Sequence, residues 1–332
     1  MQRIAVPLLL LALVGSACGG SSGSGSAVVT ATATATPTAA PTSTASAAST
    51  TAYTCPAATT SAGALNCAAL PLGDNRYSTA APAVDSVYVC SVPGGGQGAT
   101  DTPPWINTAN STWDALTKTI VEGSVSWNGT FSASASSDGS ALDVLGNGLP
   151  IAPVTTGTFP IASTDPAYAY DQNPNKIAAQ TIDYALPYNP TAAASPGCVG
   201  GGRIGIAVNG VSIFDALDAL GHDAVAHEEQ DGCHGHPDPS STYHYHGWLQ
   251  VCVADSGSAT QNSSLLGYAL DGYGIYGPWY NGKVLTTADL DECHGTTSVV
   301  TWHGVQTSIY HYVSTYDFPY TIGCYHGTAV HA

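Results

Sequence analysis

The sequence predicts a mainly β fold: a turn-rich, disulfide-pinned β-sandwich or barrel-like body with one or two short helices. Three observations carry this expectation. From residue 53 onward, aromatic, cysteine and β-branched residues recur between Gly, Pro and Asn turn signals. Beyond Cys18 there are eight cysteines, an even number without a Cys-x-x-Cys pair, which reads as four disulfides formed in an oxidising compartment. No stretch alternates strands with amphipathic helices, as a doubly wound parallel sheet requires. Eighteen Tyr, six Trp and four Phe need burial, so disorder throughout is excluded.

Taken in chain order, residues 1–17 read as an export signal. Arg3 supplies the positive charge, residues 4–14 the apolar stretch, and Gly15-Ser16-Ala17 the small residues before Cys18. That arrangement resembles the lipobox of bacterial lipoproteins, in which the cysteine is acylated, so Cys18 is the expected lipidation site. An ordinary secretory signal is the alternative, Gly15 standing where the lipobox usually has Leu. Either way the mature chain is expected outside the cytoplasm, as a bacterial membrane-anchored lipoprotein or a secreted protein. Residues 18–52 are almost entirely Gly, Ser, Ala, Thr and Pro and read as a tether between that anchor and a folded body.

Within the body, 53–200 is read as an N-terminal β-rich part and 201–332 as a His-rich duplicated region. Residues 119–131 and 143–154 read as strands, with turns at Asn128-Gly129 and Gly146-Asn147-Gly148. Residues 203–213 read as a further strand around Asn209-Gly210. The one helical patch is 213–229, where Phe214, Leu217, Leu220 and Val225 fall roughly on one face. With six Lys and Arg against a net charge of −17, the chain cannot form the basic patch that nucleic acid needs. No long apolar run follows the N-terminus, which excludes a polytopic membrane protein.

All eleven histidines lie between His222 and His331. The same region contains a duplication: Asp-x-Cys-His-Gly, a loop, Tyr-His-Tyr, then Cys. The first copy runs Asp231, Cys233-His234-Gly235, Tyr243-His244-Tyr245-His246, Cys252. The second runs Asp291, Cys293-His294-Gly295, Tyr310-His311-Tyr312-Val313, Cys324. Two hairpin-like units, each closed by its own disulfide, predict Cys233–Cys252 and Cys293–Cys324. Of the four cysteines that remain, which can pair in three ways, Cys90 is expected to pair with Cys198 and Cys55 with Cys67.

Alternate residues of a strand face opposite ways, so His244 and His246 share one face and Tyr243 and Tyr245 the other. Two imidazoles at i and i+2 can reach one metal ion. His236, His294 and His311 join them as candidate ligands, and a thiolate-free imidazole set suits copper or zinc. The competing reading is a hydrogen-bonded Tyr/His core. His222, His303 and His331 lie outside the duplicated pattern. Gly272-Tyr273-Gly274-Ile275-Tyr276-Gly277 matches a dinucleotide-binding pattern, but Pro278 follows and no helix begins there, so no nucleotide cofactor is expected. His227-Glu228-Glu229-Gln230-Asp231 begins like a zinc-protease helix but has Asp231 where the second His is required.

These residues resemble the YHYH protein family, named for the run found here at 243–246. The resemblance extends through Asn209-Gly210-Val211, Asp223-Ala224-Val225-Ala226-His227-Glu228, Gly267-Tyr268-Ala269-Leu270-Asp271-Gly272 and Phe318-Pro319-Tyr320-Thr321-Ile322-Gly323-Cys324. It implies an identity rather than an activity, since the family carries no settled biochemical function. The chain departs from the family where Thr296-Thr297-Ser298 replaces His-Thr-His and where Val313 replaces the His after the second Tyr-His-Tyr. Three functions compete. One is a surface-anchored metal-binding module whose partner is a metal ion or another extracellular ligand. Another is an extracellular metal-assisted hydrolase with Asp271, Glu228 or Glu292 as base. The last is a structural or adhesive cell-surface domain without metal. Three His beside a carboxylate and an open ligand position would favour catalysis.

Overall fold

The computed structural model describes residues 53–330 except 97, 100 and 101. The expected signal peptide at 1–17, Cys18, the tether at 18–52 and His331 lie outside the described residues.

The duplicated region builds one eight-stranded sheet. Its strands are β1 (Arg203–Ala207), β2 (Ser212–Phe214), β3 (Gly235–Pro237), β4 (Tyr243–Tyr245), β5 (Leu265–Ala269), β6 (Gly274–Tyr276), β7 (Gly295–Trp302) and β8 (Val305–Val313). Their order is β3-β4-β2-β1-β5-β6-β8-β7, which reads the same from both edges once the two halves are equated. β1 and β5 meet antiparallel at the centre, Ile206 opposite Tyr268. β1 folds back into β2 and β5 into β6, each hairpin with a register shift. β4 then runs parallel to β2, and β8 parallel to β6. The antiparallel partners β3 and β7 form the two edges. Thus the duplication extends to the central hairpins, beyond the Cys-His-Gly and Tyr-His-Tyr motifs.

The shared motifs have shared physical causes. Gly210 and Gly272 turn the two central hairpins at φ +91 and +89, backbone that a side chain would strain. A Cβ on Gly235 would stand 2.3 Å from the Tyr243 hydroxyl, and one on Gly295 would stand 2.3 Å from that of Tyr310. Each Cys-His-Gly glycine therefore makes room for the tyrosine of the facing strand. Asp231 accepts the Tyr243 hydroxyl at 2.8 Å and the Cys233 amide at 2.9 Å. Asp291 does the same for Tyr310 and Cys293, both at 3.0 Å.

The sheet stays open, because β3 and β7 each have a single partner; the fold is mainly β, without a closed barrel. A smaller antiparallel sheet of Phe131–Ala135, Ala141–Gly146 and Ile182–Pro187 places Leu142, Val144, Ile182 and Leu186 in the same core as Ile204, Ile206 and Ile213. The disulfides are Cys55–Cys67, Cys90–Cys198, Cys233–Cys252 and Cys293–Cys324. They indicate an extracytoplasmic location, and among the described residues no helix is long and apolar enough to cross a membrane.

Three expected elements are shorter than their patterns suggested. The strand over 119–131 reduces to Val125–Ser126, with Phe131–Ala135 beginning a separate strand; that over 143–154 gives way after Gly146. There Asn147 accepts the Thr130 amide and donates to the Asn128 carbonyl, closing a loop instead of continuing a ladder. The helix over 213–229 shrinks to α1, Ala224–His227. Asp215 and Asp218 capture the amides of Leu217, Leu220 and His222, holding the preceding backbone in turns. Asp223 then caps α1 through the Ala226 amide.

Candidate functional site

Strand pairing brings the first-unit histidines together. His236 on β3 lies directly opposite His244 on β4, and His246 follows two residues later on the same face. The Nε2 atoms of His244 and His246 are 3.0 Å apart, and those of His236 and His246 are 3.3 Å apart. One nitrogen from each of the three lies within 4.8 Å of the others. All three side chains are buried. Tyr243 and Tyr245 point the other way, to Asp231 and Asn209, and anchor the strand from behind.

Two of the rings are fixed by backbone. His244 donates through Nδ1 to the Thr242 carbonyl at 3.0 Å, and His246 donates through Nδ1 to the Asp215 carbonyl. Placing the hydrogen on Nδ1 leaves Nε2 with its lone pair toward the cluster, the tautomer a metal ion needs. Phe214 stacks on His244 with ring centroids 3.8 Å apart. His236 is held differently, with the Asn173 amide nitrogen 3.4 Å from its Nδ1.

A carboxylate completes the cluster. Immediately after α1 the chain turns to extended backbone at Glu228. Its Oε2 sits 3.2 Å from His236 Nε2 and 3.3 Å from His246 Nε2. Buried Lys118 donates to the Glu228 backbone carbonyl and secures that position. Burial pushes the Glu228 carboxyl up, but His236, then His246 and Lys118, outweigh it and hold it at about 2. Burial pulls His236 down, and the Glu228 charge more than reverses this. Burial depresses His246 to about 4 and pulls His244 well below the usual imidazole range, so both stay neutral at ordinary pH.

The cluster opens onto a cavity of about 510 Å³ lined by His236, His244, His246 and Glu228, together with Asp171, Asp215 and Asp218. That volume lies in the range of small-molecule sites.

The other sequence candidates go elsewhere. His311 and His294 are not members of the cluster. His311 donates to the Ile309 carbonyl, repeating the anchorage of His244, while His294 meets the Thr315 hydroxyl at 2.9 Å. Opposite His311 stands Thr296, where His236 stands opposite His244, and Val313 takes the place of His246. Of the carboxylates considered as bases, Asp271 is occupied by the Tyr312 hydroxyl and the Gly327 amide, and Glu292 is exposed. Only Glu228 reaches the imidazoles. The Gly-x-Gly pattern at 272–277 is a turn followed by β6. His222 lies beside Asp218, and His303 stacks on Tyr188. Asp171, Asn173 and Asp215 carry no sequence motif; they reach the site from segments remote from the Tyr-His run.

Fold and site together define a disulfide-pinned, mainly β protein with an internally duplicated sheet, one half of which carries a buried three-histidine cluster at a cavity. Residues 183–285 match the family described as YHYH protein, and the chain therefore carries a YHYH domain. No curated protein and no solved structure matches it.

Proposed function

We propose that the protein binds one copper or zinc ion through the Nε2 atoms of His236, His244 and His246. The observation that supports this is the convergence of the three rings, two of them already oriented by backbone carbonyls. A site whose ligands are held before the ion arrives loses little entropy on binding. The donor set is nitrogen with one flanking carboxylate, which suits these ions over calcium or magnesium. Elemental analysis of tag-free protein loaded with zinc or copper tests it: about one ion per chain is expected, and none in a folded His244→Ala, His246→Ala double variant. Full stoichiometry in that variant would leave the structural or adhesive reading in its place.

A second reading, a metal-assisted hydrolase, is favoured by one observation: Glu228 stands beside two of the imidazoles while the cluster faces a cavity. In that reading His236, His244 and His246 would hold an ion able to acidify water, and Glu228 would be the proton acceptor beside them. Glu228→Gln should then retain the ion and lose turnover. The chain would work outside the cytoplasm, held by a lipid at Cys18 and the tether at 18–52. Mass analysis of the N-terminal peptide, with and without Cys18→Ala, decides the anchor.

A further inference from the structure

We infer that Asn173 is a positioning residue of the histidine cluster: it donates to Nδ1 of His236 and so keeps that ring's hydrogen on Nε2, the atom assigned to the ion. Its bearing on metal affinity rests on the proposed metal site, whereas the tautomer is a property of the metal-free protein. Two independent sets of contacts lead there, one at each nitrogen of the ring.

The first set fixes the amide. Asn173 is buried. Its Oδ1 accepts the Asn175 backbone amide at 2.9 Å, and its Nδ2 donates to the Pro237 carbonyl at 3.1 Å. Turning the side-chain amide over would set nitrogen against the Asn175 N–H and oxygen against the Pro237 carbonyl, losing both bonds. Nδ2 is therefore the atom that lies 3.4 Å from His236 Nδ1. One of its hydrogens is on the Pro237 carbonyl, and the other is left for the ring. A ring nitrogen that faces a donor has to accept, which places the hydrogen of a neutral imidazole on Nε2.

The second set surrounds Nε2 and asks for the same tautomer. Glu228 Oε2, 3.2 Å away, is an acceptor. His246 Nε2, 3.3 Å away, offers a lone pair too, because that ring donates through Nδ1 to the Asp215 carbonyl. Both neighbours of Nε2 accept, and the neighbour of Nδ1 donates. His236 is thus the reverse of His244 and His246, whose hydrogens are on Nδ1.

The difference ranks the three ligands. To bind through Nε2, His236 has to carry its hydrogen on Nδ1, where it would oppose the Asn173 N–H. His244 and His246 need no such change, so Asn173 makes His236 the most weakly committed of the three. A carboxylate in the same place would do the opposite, since it accepts from the far nitrogen of a ligating imidazole, orients the ring and raises its basicity. Asn173→Asp supplies that group with little other loss. One oxygen keeps the Asn175 amide, the other faces Nδ1, and the Pro237 carbonyl retains the Asn175 side-chain donor at 3.1 Å.

Long-range proton–nitrogen correlation spectra of the metal-free full chain, with isotope-labelled histidine, tell a ring nitrogen that carries hydrogen from one that does not. They are recorded at about pH 9, above the usual imidazole range, and His236→Gln identifies the His236 signals by their loss. The hydrogen is expected on Nε2 in His236 and on Nδ1 in His244 and His246. In Asn173→Asp the His236 hydrogen should move to Nδ1, and calorimetric titration should show zinc bound at least tenfold more tightly. Asn175→Asp adds the same charge without facing the ring; it should keep the parent's tautomer and fall well short of that gain. Near-UV circular dichroism checks the fold of both variants. A hydrogen on His236 Nδ1 in the parent, which needs no variant to detect, would overturn the inference. So would a hydrogen still on Nε2 in folded Asn173→Asp, a switched tautomer without tighter zinc, or an equal gain in Asn175→Asp. If the parent takes up no zinc, the metal reading fails and the tautomers alone decide the role of Asn173.

Discussion

The two halves of the eight-stranded sheet share a frame and differ in contents. Each has a Gly-turned central hairpin, an aspartate that gathers a tyrosine hydroxyl and the Cys-His-Gly amides, a disulfide, and a Tyr-His-Tyr strand. In each, the middle histidine of that strand donates to a carbonyl two residues back. Yet among the described residues three imidazoles and a carboxylate converge in the first half alone. The second has Thr296 for His236 and Val313 for His246, and among the described residues no carboxylate pairs with His311 as Glu228 does with His236 and His246. The frame is thus separable from the chemistry: hydrogen bonds and glycine sterics keep the fold in both halves, and two residue identities decide whether a site exists.

The largest effect should come from breaking the frame. Asp231 is buried and receives the Gly157 amide at 2.8 Å besides the bonds it shares with Asp291. Asp231→Ala would orphan several buried donors and should cost about 3–5 kcal/mol; the partly exposed Asp291→Ala should cost about 1–3 kcal/mol. Urea denaturation of the two variants measures the difference, and equal losses would show that the first unit's frame is no more tightly held than the second's.

Making the first half resemble the second is the next test. His236→Thr with His246→Val installs the second unit's residues at matched positions, and metal affinity should fall more than a hundredfold, about 2.7 kcal/mol. The His311→Ala variant should bind as the parent does. A calorimetric zinc titration reads both, and a loss confined to His311→Ala would place the ion in the wrong half.

The second half contributes a pH dependence of its own. Burial depresses His294 to about 3, against about 6.5 in an unfolded chain. The unfolded state then binds the extra proton, so this contribution to stability is present above pH 6.5 and is lost as pH falls from there toward 3. The slope is about 1.4 kcal/mol per pH unit at most. His294→Asn, a residue that tolerates the positive φ of +69 at this position, should flatten the decline; an unchanged slope across that window would assign it to other groups.

The smallest effect is expected from building a site where the frame permits one. Thr296→His with Val313→His sets three imidazoles at the positions of the first cluster, but without a flanking carboxylate and with His in a fully packed position at 313. A second zinc ion should bind at least tenfold more weakly than the first. Binding of equal strength would show that Glu228 adds nothing to affinity.

Much of this molecule was legible in its sequence, and the reasons are local. Cysteine parity and the repeated Asp-x-Cys-His-Gly…Cys spacing are one-dimensional facts, and they led to the four disulfide pairs the structure contains. Strand alternation placed His244 and His246 on one face because side-chain direction follows the backbone with period two. What alternation could not supply was pairing: His236 joins the cluster because β3 and β4 align His236 with His244. His311, equal to His244 in sequence context, is excluded because its strand faces Thr296. The helical pattern over 213–229 failed for a related reason, since the aspartates that interrupt it satisfy the backbone locally where periodicity counts only apolar residues. Glu228 could be suspected from its position after His227, but Asp271 and Glu292 had equal standing until their hydrogen bonds and exposure were known. Asp171, Asn173 and Asp218 left no signal, because convergence on a cavity is a property of distance in space. Composition, covalent pairing and the period of a strand were therefore settled by the sequence itself. Which histidines meet and which carboxylate stands beside them were decided by long-range register, which depends on the packing of segments far apart in the chain.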